Sequence, residues 1–125
     1  MAILVCDYEL DGEVLYAVKW YKDDEEFYRF VPKSNPPQHS YKVDGIKVDV
    51  SSYKLLQHQL SDSKQVALRA VNLKSSGLYR CEVSAEAPSF ASAQNEGRMD
   101  VVCKCECMRP VFFPYRGRKC LNSNF

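Results

Sequence analysis

Six cysteines and two histidines are the side chains of this 125-residue sequence best suited to hold a metal or attack a substrate. Three cysteines alternate with charged residues in Cys103-Lys104-Cys105-Glu106-Cys107, and Cys120 follows. Thiolates bind soft metals, but structural zinc sites usually space their cysteines by two to four residues, so that one turn presents both sulfurs. One-residue spacing points successive sulfurs to opposite faces of an extended chain. Extra disulfides or free thiols therefore fit this stretch better than a zinc site, and no metal or other cofactor is expected. His39 and His58 lie outside any zinc-protease motif, each in a segment that reads as a loop. No neighbour in the sequence positions either for proton transfer or nucleophile activation, so no enzymatic activity is expected. Asp23-Asp24-Glu25-Glu26 is an acidic run. It reads as the solvated tip of a hairpin, with a calcium site or a contact at an interface rim as alternatives. No Asn has Ser or Thr two residues on, so the chain carries no N-glycosylation acceptor.

The elements around these residues read as strands. From Leu15 to Tyr21 the residues alternate, Tyr16, Val18 and Trp20 on one face, Lys19 and Tyr21 on the other. Phe27 to Val31 is aromatic and β-prone; Ile46, Val48 and Val50 alternate with Lys47 and Asp49; Val66 and Leu68 with Ala67 and Arg69; Tyr79, Cys81 and Val83 with Arg80, Glu82 and Ser84. Turn signals separate them: Asp11-Gly12, Lys22-Asp23-Asp24, Ser34-Asn35-Pro36-Pro37, Asp44-Gly45 and Ser75-Ser76-Gly77. The one helix candidate is Ser52 to Leu60, on the weak spacing of Tyr53, Leu56 and Leu60. Apolar residues at 46% are enough for a core, and a net charge of +1 gives no electrostatic case for nucleic acid or an anionic membrane as partner. No apolar run reaches the roughly 18 residues of a membrane span, so no membrane insertion is expected. Six cysteines suggest an oxidising compartment, although the opening Met1-Ala-Ile-Leu-Val-Cys6 has no basic region of a secretory signal. Residues 1–102 are expected to form the domain, with 103–125 a cysteine-containing tail of separate character.

Four residues sort the possible all-β folds. Trp20 follows Cys6 by 14 positions, Cys81 lies far downstream, and Tyr79 stands two before it. This is the immunoglobulin arrangement of an inter-sheet disulfide, a Trp packed on it and a tyrosine corner. Cys6 and Cys81 are expected to pair, with Trp20, Leu68 and Tyr79 in the core. The strand-like stretch Glu26–Val31 between Trp20 and Ile46 adds a strand, which favours the variable type over the constant type.

Val18-Lys-Trp-Tyr-Lys22, Glu26-Phe-Tyr-Arg-Phe30, Gly45-Ile-Lys-Val-Asp-Val-Ser51, Val66-Ala-Leu-Arg-Ala-Val71 and, most specifically, Ser76-Gly-Leu-Tyr-Arg-Cys-Glu-Val-Ser-Ala-Glu-Ala-Pro-Ser-Phe90 resemble the first immunoglobulin domain of the insect Beaten path (Beat) family. The resemblance spans roughly residues 3–102. It implies a secreted or membrane-anchored neuronal protein, extracellular or at the cell surface, that acts in axon guidance by binding Sidestep-like immunoglobulin receptors. Three departures stand beside it. Family members have a strand A and a signal peptide before the first cysteine, whereas five residues precede Cys6, so strand A is expected to be largely missing from a truncated chain. Ser75 stands four before the corner tyrosine in place of the usual acid, which puts a salt bridge there in doubt. Residues 103–125 do not match the approach to a second immunoglobulin domain.

The resemblance implies binding through the sheet of strands G, F, C, C′ and C″. With Trp20 and Cys81 inward, Lys19 and Tyr21 on strand C and Arg80 and Glu82 on strand F point outward. Strand C′ has no such anchor; the expectation places Tyr28 and Phe30 outward. Phe90, in the F–G loop, is a further candidate. The plainer alternative is that Tyr21 and Tyr28 only cover the sheet or serve a neighbouring domain. At the level of the whole chain the alternatives are a structural immunoglobulin domain of a larger intracellular protein, in which the cysteines would be reduced, and a metal-binding cysteine-rich protein.

Overall fold

The computed structural model describes residues 1–50, 52–53, 58–101 and 121–122, with side chains at 1–50 and 60–101. The expected metal-free tail from Cys103 to Cys120 lies outside the described residues. Among the described residues every regular element is a strand except one short 3₁₀ turn: β1 (Ala2–Val5), β2 (Leu15–Lys22), β3 (Glu25–Phe30), β4 (Gln38–Ser40), β5 (Ser52–Tyr53), β6 (His58–Gln59), β7 (Gln65–Leu68), the 3₁₀ turn (Leu73–Ser75), β8 (Gly77–Ala85), β9 (Ser92–Val101) and β10 (Leu121–Asn122). The helix candidate at 52–60 is replaced by the antiparallel pair β5–β6, because two leucines and a tyrosine at helical spacing cannot outweigh strand pairing. Both histidines lie on strands, His39 on β4 and His58 on β6, rather than in loops.

Two layers form an immunoglobulin-like sandwich. One is a six-stranded sheet in the order β10-β9-β8-β2-β3-β4, which is G, F, C, C′ and C″ with a two-residue strand added at the G edge. β3 and β4 are the extra strands of the variable type. The other layer pairs β1 with β7, strands B and E, and a bridge from Val48 to Leu68 adds the D segment on the far side of β7. Among the described residues no strand covers the other edge of β1.

The layers meet where the sequence places inward side chains. Cys6 and Cys81 form a disulfide across them, with Cα atoms 6.2 Å apart. Trp20 lies opposite Cys81 in the β2–β8 register and is fully buried. Around it pack Leu4, Val18, Phe27, Tyr28, Val66, Leu68, Tyr79 and Met99, all buried. The Phe27 ring stands edge-on to Tyr79 at 5.8 Å between centroids.

The tyrosine corner closes on Ser75. Tyr79 Oη donates to the Ser75 carbonyl. The buried Ser75 hydroxyl donates to the Gly45 carbonyl at 2.7 Å and accepts from the Asn72 N–H at 3.1 Å. The serine therefore joins the D segment, the E–F turn and strand F by hydrogen bonds. The join is close. A Cβ on Gly45, whose φ is +84°, would stand 2.4 Å from the Lys74 carbonyl oxygen.

Two outcomes are expected. Tyr79→Phe strands a buried carbonyl and costs about 1–3 kcal/mol in urea unfolding. Replacing both Cys6 and Cys81 with Ala removes a cross-link spanning 75 residues and costs about 4 kcal/mol. A double cysteine variant as stable as the parent would contradict the structural weight given to the bond.

Candidate functional site

Strand register decides which side chains the GFCC′C″ sheet displays. Along β8, Tyr79, Cys81, Val83 and Ala85 are buried, so Arg80 and Glu82 lie on the outer face. On β2 the outer neighbours are Tyr21 opposite Arg80 and Lys19 opposite Glu82. Across β9, Glu96 lies opposite Arg80 and Gln94 opposite Glu82. These four sequence-expected residues, Lys19, Tyr21, Arg80 and Glu82, come together at the centre of the sheet.

Strand C′ corrects the expectation. Tyr28 pairs with the inward Trp20 and is fully buried, its hydroxyl donating to the Asp62 carbonyl at 3.3 Å. Phe30 pairs with Val18 and packs, half-buried, against the core. Between the pairs Trp20–Tyr28 and Tyr21–Glu26 the register shifts, leaving Phe27 as an extra residue that also turns inward. The outward residues of this strand are therefore Arg29, opposite Lys19, and Glu26, opposite Tyr21. His39 continues the first row, opposite Arg29 on β4. A second shift, between Leu15 and Ala17, turns Tyr16 outward, where the alternation from Trp20 predicts it inward.

The face consists of two cross-strand rows of charged and polar side chains around the Tyr21 ring: His39, Arg29, Lys19, Glu82 and Gln94 in one, Glu26, Tyr21, Arg80 and Glu96 in the other. The Arg80 guanidinium lies 4.4 Å from the Tyr21 ring centroid and donates from Nη1 to Asp24 Oδ1 at 2.9 Å. Arg29 grips Glu26 through both oxygens, at 2.7 and 2.9 Å, and lies 5.9 Å from the Tyr41 ring. The hydrogen bonds it donates to Glu26 raise the Arg29 pKa further, and partial burial raises that of Tyr21, with Glu82 and Glu26 adding to it and Arg80 opposing.

The acidic run is tied down. Asp23 and Asp24 both have positive φ, as a two-residue hairpin turn between β2 and β3 requires. Asp23 Oδ1 accepts the Leu78 N–H at 3.0 Å, which is the main cause of its lowered pKa, and Lys22 lies 3.2 Å from its other oxygen. The hairpin tip thus leans on strand F, where Gly77 leaves room: a Cβ there would stand 2.7 Å from the Asp23 carboxylate. Among the described residues no group of three metal-ligating side chains is present.

Phe90 projects from the F–G turn and is 72% exposed, with a positive φ of 51°. Its N–H donates to the Glu86 carbonyl at 3.2 Å; Glu86 in turn pairs with Lys33 at 2.7 Å. Tyr16 joins Phe90 in lining a shallow pocket at this end of the sheet. At the open side of the sandwich, a groove of about 380 Å³ runs between Tyr8 and Leu10 and the inner side of strand G. Ala93 and Asn95 sit there at inward register positions, opposite Val83 and Cys81, yet remain exposed.

Arg29, His39, Gln94 and Glu96 belong to the face without having been expected there, and Glu26 was expected only as part of the acidic run. The alternation Glu26-Phe-Tyr-Arg has no phase without the bulge, and polar Ser92–Glu96 becomes a strand only by pairing with strand F. No family model matches the chain, and no curated protein matches it.

Burial raises the Tyr28 and Tyr79 pKa values above the ordinary 10.0. The sign of the linkage follows. Below pH 10 both states hold these protons; above it the unfolded chain loses them first, so folding stability falls as pH rises toward the folded values. The expected loss approaches about 1.4 kcal/mol per pH unit for each tyrosine. Urea midpoints measured from pH 8 to 11 check this, and Tyr28→Phe should flatten the fall.

Proposed function

We propose that this chain is a non-enzymatic recognition module of the Beat type, which binds a Sidestep-like immunoglobulin receptor through the outer face of its GFCC′C″ sheet. The observation that carries the reading is the half-exposed Tyr21 ring held under Arg80 at the centre of that face. An aromatic ring held by cross-strand neighbours loses little conformational freedom on binding, and Tyr and Arg are enriched among the residues that dominate interface energies. The cations Arg29 and Lys19 and the carboxylates Glu82, Glu26 and Glu96 around it supply a mixed charge pattern that selects a complementary partner and speeds encounter. The Cys6–Cys81 bond supports an extracellular or cell-surface location, since such bonds persist in oxidising compartments. Phe90 and Tyr16 extend the surface at the F–G end.

Surface plasmon resonance on a Sidestep-type ectodomain tests the reading. Tyr21→Ala and Arg80→Ala should each weaken binding by about 1–3 kcal/mol, or roughly 5- to 150-fold. Lys47→Ala, exposed on the opposite layer, should change it little. Higher salt should slow association. Normal binding by both sheet variants, with loss in Lys47→Ala, would place the site on the other layer.

A further inference from the structure

Charge is unevenly shared over this chain of net charge +1. Among the described residues, Lys22, Arg29, Lys33, Arg80 and Arg98 each lie within 3.2 Å of a carboxylate. Lys19 has Glu82 opposite it, and Lys64 donates to the Tyr8 carbonyl at 2.6 Å. Lys42, Lys47 and Arg69 pair with no described carboxylate. Lys74 meets only Asp44, at 4.0 Å, and that carboxylate is 85% exposed. These last four cations share one region, where the chain passes from strand C″ into the D segment and from strand E into the E–F turn.

Strand pairing sets two of them side by side. The bridge between Val48 and Leu68 makes Lys47 and Arg69 the next facing pair, with the Arg69 N–H on the Lys47 carbonyl at 2.8 Å. Leu68 is buried, so Lys47 and Arg69 point away from the core, and both are exposed. Like charges directly opposite each other in a sheet oppose folding. Lys47 also lines, with Lys42 and Lys74, a trough of about 580 Å³ between residues 42–47 and 70–74, and Asp44 is the one carboxylate among its described lining residues. Hydrogen bonds hold the two walls: Ser75 Oγ donates to the Gly45 carbonyl at 2.7 Å, and the Asn72 side chain accepts the Lys74 N–H at 2.8 Å. Outside the described residues the only acidic side chain is Glu106, against Lys54 and five cations between 104 and 119, so the side chains there add to this charge rather than cancel it.

We propose that this trough, with the Lys47–Arg69 pair beside it, binds a sulfated polysaccharide. Clefts lined by one sign of charge concentrate ions of the other sign, and an anion lying among the cations relieves their repulsion. Cations on both walls of a trough suit a long, thin polyanion, whereas a flat bilayer meets only the rims. The Arg69 guanidinium matches a sulfate group through two parallel hydrogen bonds, and the three lysines act as mobile point charges along the chain of sugars. The Cys6–Cys81 bond favours an extracellular setting, where sulfated glycan rather than nucleic acid is the common polyanion. Lys47 and Arg69 belong to the layer opposite Tyr21 and Arg80, so the glycan site and the receptor face are separate surfaces.

The test uses the full chain with accessible thiols alkylated and a heparin-derived hexasaccharide as probe. Isothermal titration at low salt should show binding, and NMR shift changes should centre on residues 42–47 and 69–74. Lys47→Ala with Arg69→Ala, and Lys42→Ala with Lys74→Ala, should each weaken binding roughly 10- to 30-fold and reduce the slope of log Kd against log salt by about two. Lys47→Arg with Arg69→Lys keeps the charges and should bind as the parent does. Lys33→Ala, paired elsewhere with Glu86, should change little. The same patch variants should bind the receptor normally, so this proposal and the receptor reading fail by different results. A chain that does not bind the hexasaccharide overturns the proposal. So does equal binding of the desulfated sugar, or undiminished affinity in both double alanine variants, which would put the binding in the cations of 104–119. Stronger binding to vesicles of equal parts phosphatidylserine and phosphatidylcholine, lost in the same variants, would make the partner a membrane instead.

Discussion

The Cys6–Cys81 bond is the constraint from which the remaining geometry follows. It ties strand B to strand F across the sandwich, and so sets which residues of both strands point inward. Because side chains alternate along a strand, that single fact turns Leu4 and Tyr79 to the core and Arg80 and Glu82 to solvent. Register then carries the phase sideways. Trp20 lies opposite Cys81, which turns Tyr21 and Lys19 outward beside Arg80 and Glu82. The displayed face of the large sheet is thus the far consequence of a bond on its inner side.

Backbone irregularities modify that phase where function would feel it. The shift between Trp20 and Tyr21 gives strand C′ an extra residue, and both Phe27 and Tyr28 become core side chains. The sheet buries more aromatic area than a regular strand would, and it displays Glu26 and Arg29 in exchange. Two aromatic side chains withdrawn from the surface leave Tyr21 as the central ring of the face. Its companions are fixed by hydrogen bonds and ion pairs rather than by packing: Arg80 to Asp24, Arg29 to Glu26, Asp23 to the Leu78 N–H. Exposed pairs of this kind contribute little stability, but they hold charged groups in one arrangement.

At the E–F turn, beside the β2–β3 hairpin tip, Ser75 works by hydrogen bonding. A buried hydroxyl that both donates and accepts, on a residue whose carbonyl also accepts from Tyr79, links three segments without an ionised group. That arrangement avoids the desolvation of an ion pair.

Much of this was legible in residue types and spacing. Cys6, Trp20, Tyr79 and Cys81 name the sandwich because only one common arrangement of strands brings two distant cysteines together beside a Trp. The same anchors set the outward phase of strands C and F, including Lys19, Tyr21, Arg80 and Glu82. Strand C′ was legible as a strand but not in its phase, since Tyr28 and Phe30 have no neighbour in sequence that says which side is inside. Only pairing with strand C, with its one-residue shift, turns them to the core. Strand G was hidden for a related reason: Ser92–Glu96 is polar, and its extended form comes from the ladder with strand F rather than from its own side chains. The backbone directions of Ile3 and Val5, which point away from β7, belong to the same class. Local sequence specifies that β1 is a strand, but the direction of each N–H depends on which residue of β7 lies opposite, and that is decided in three dimensions.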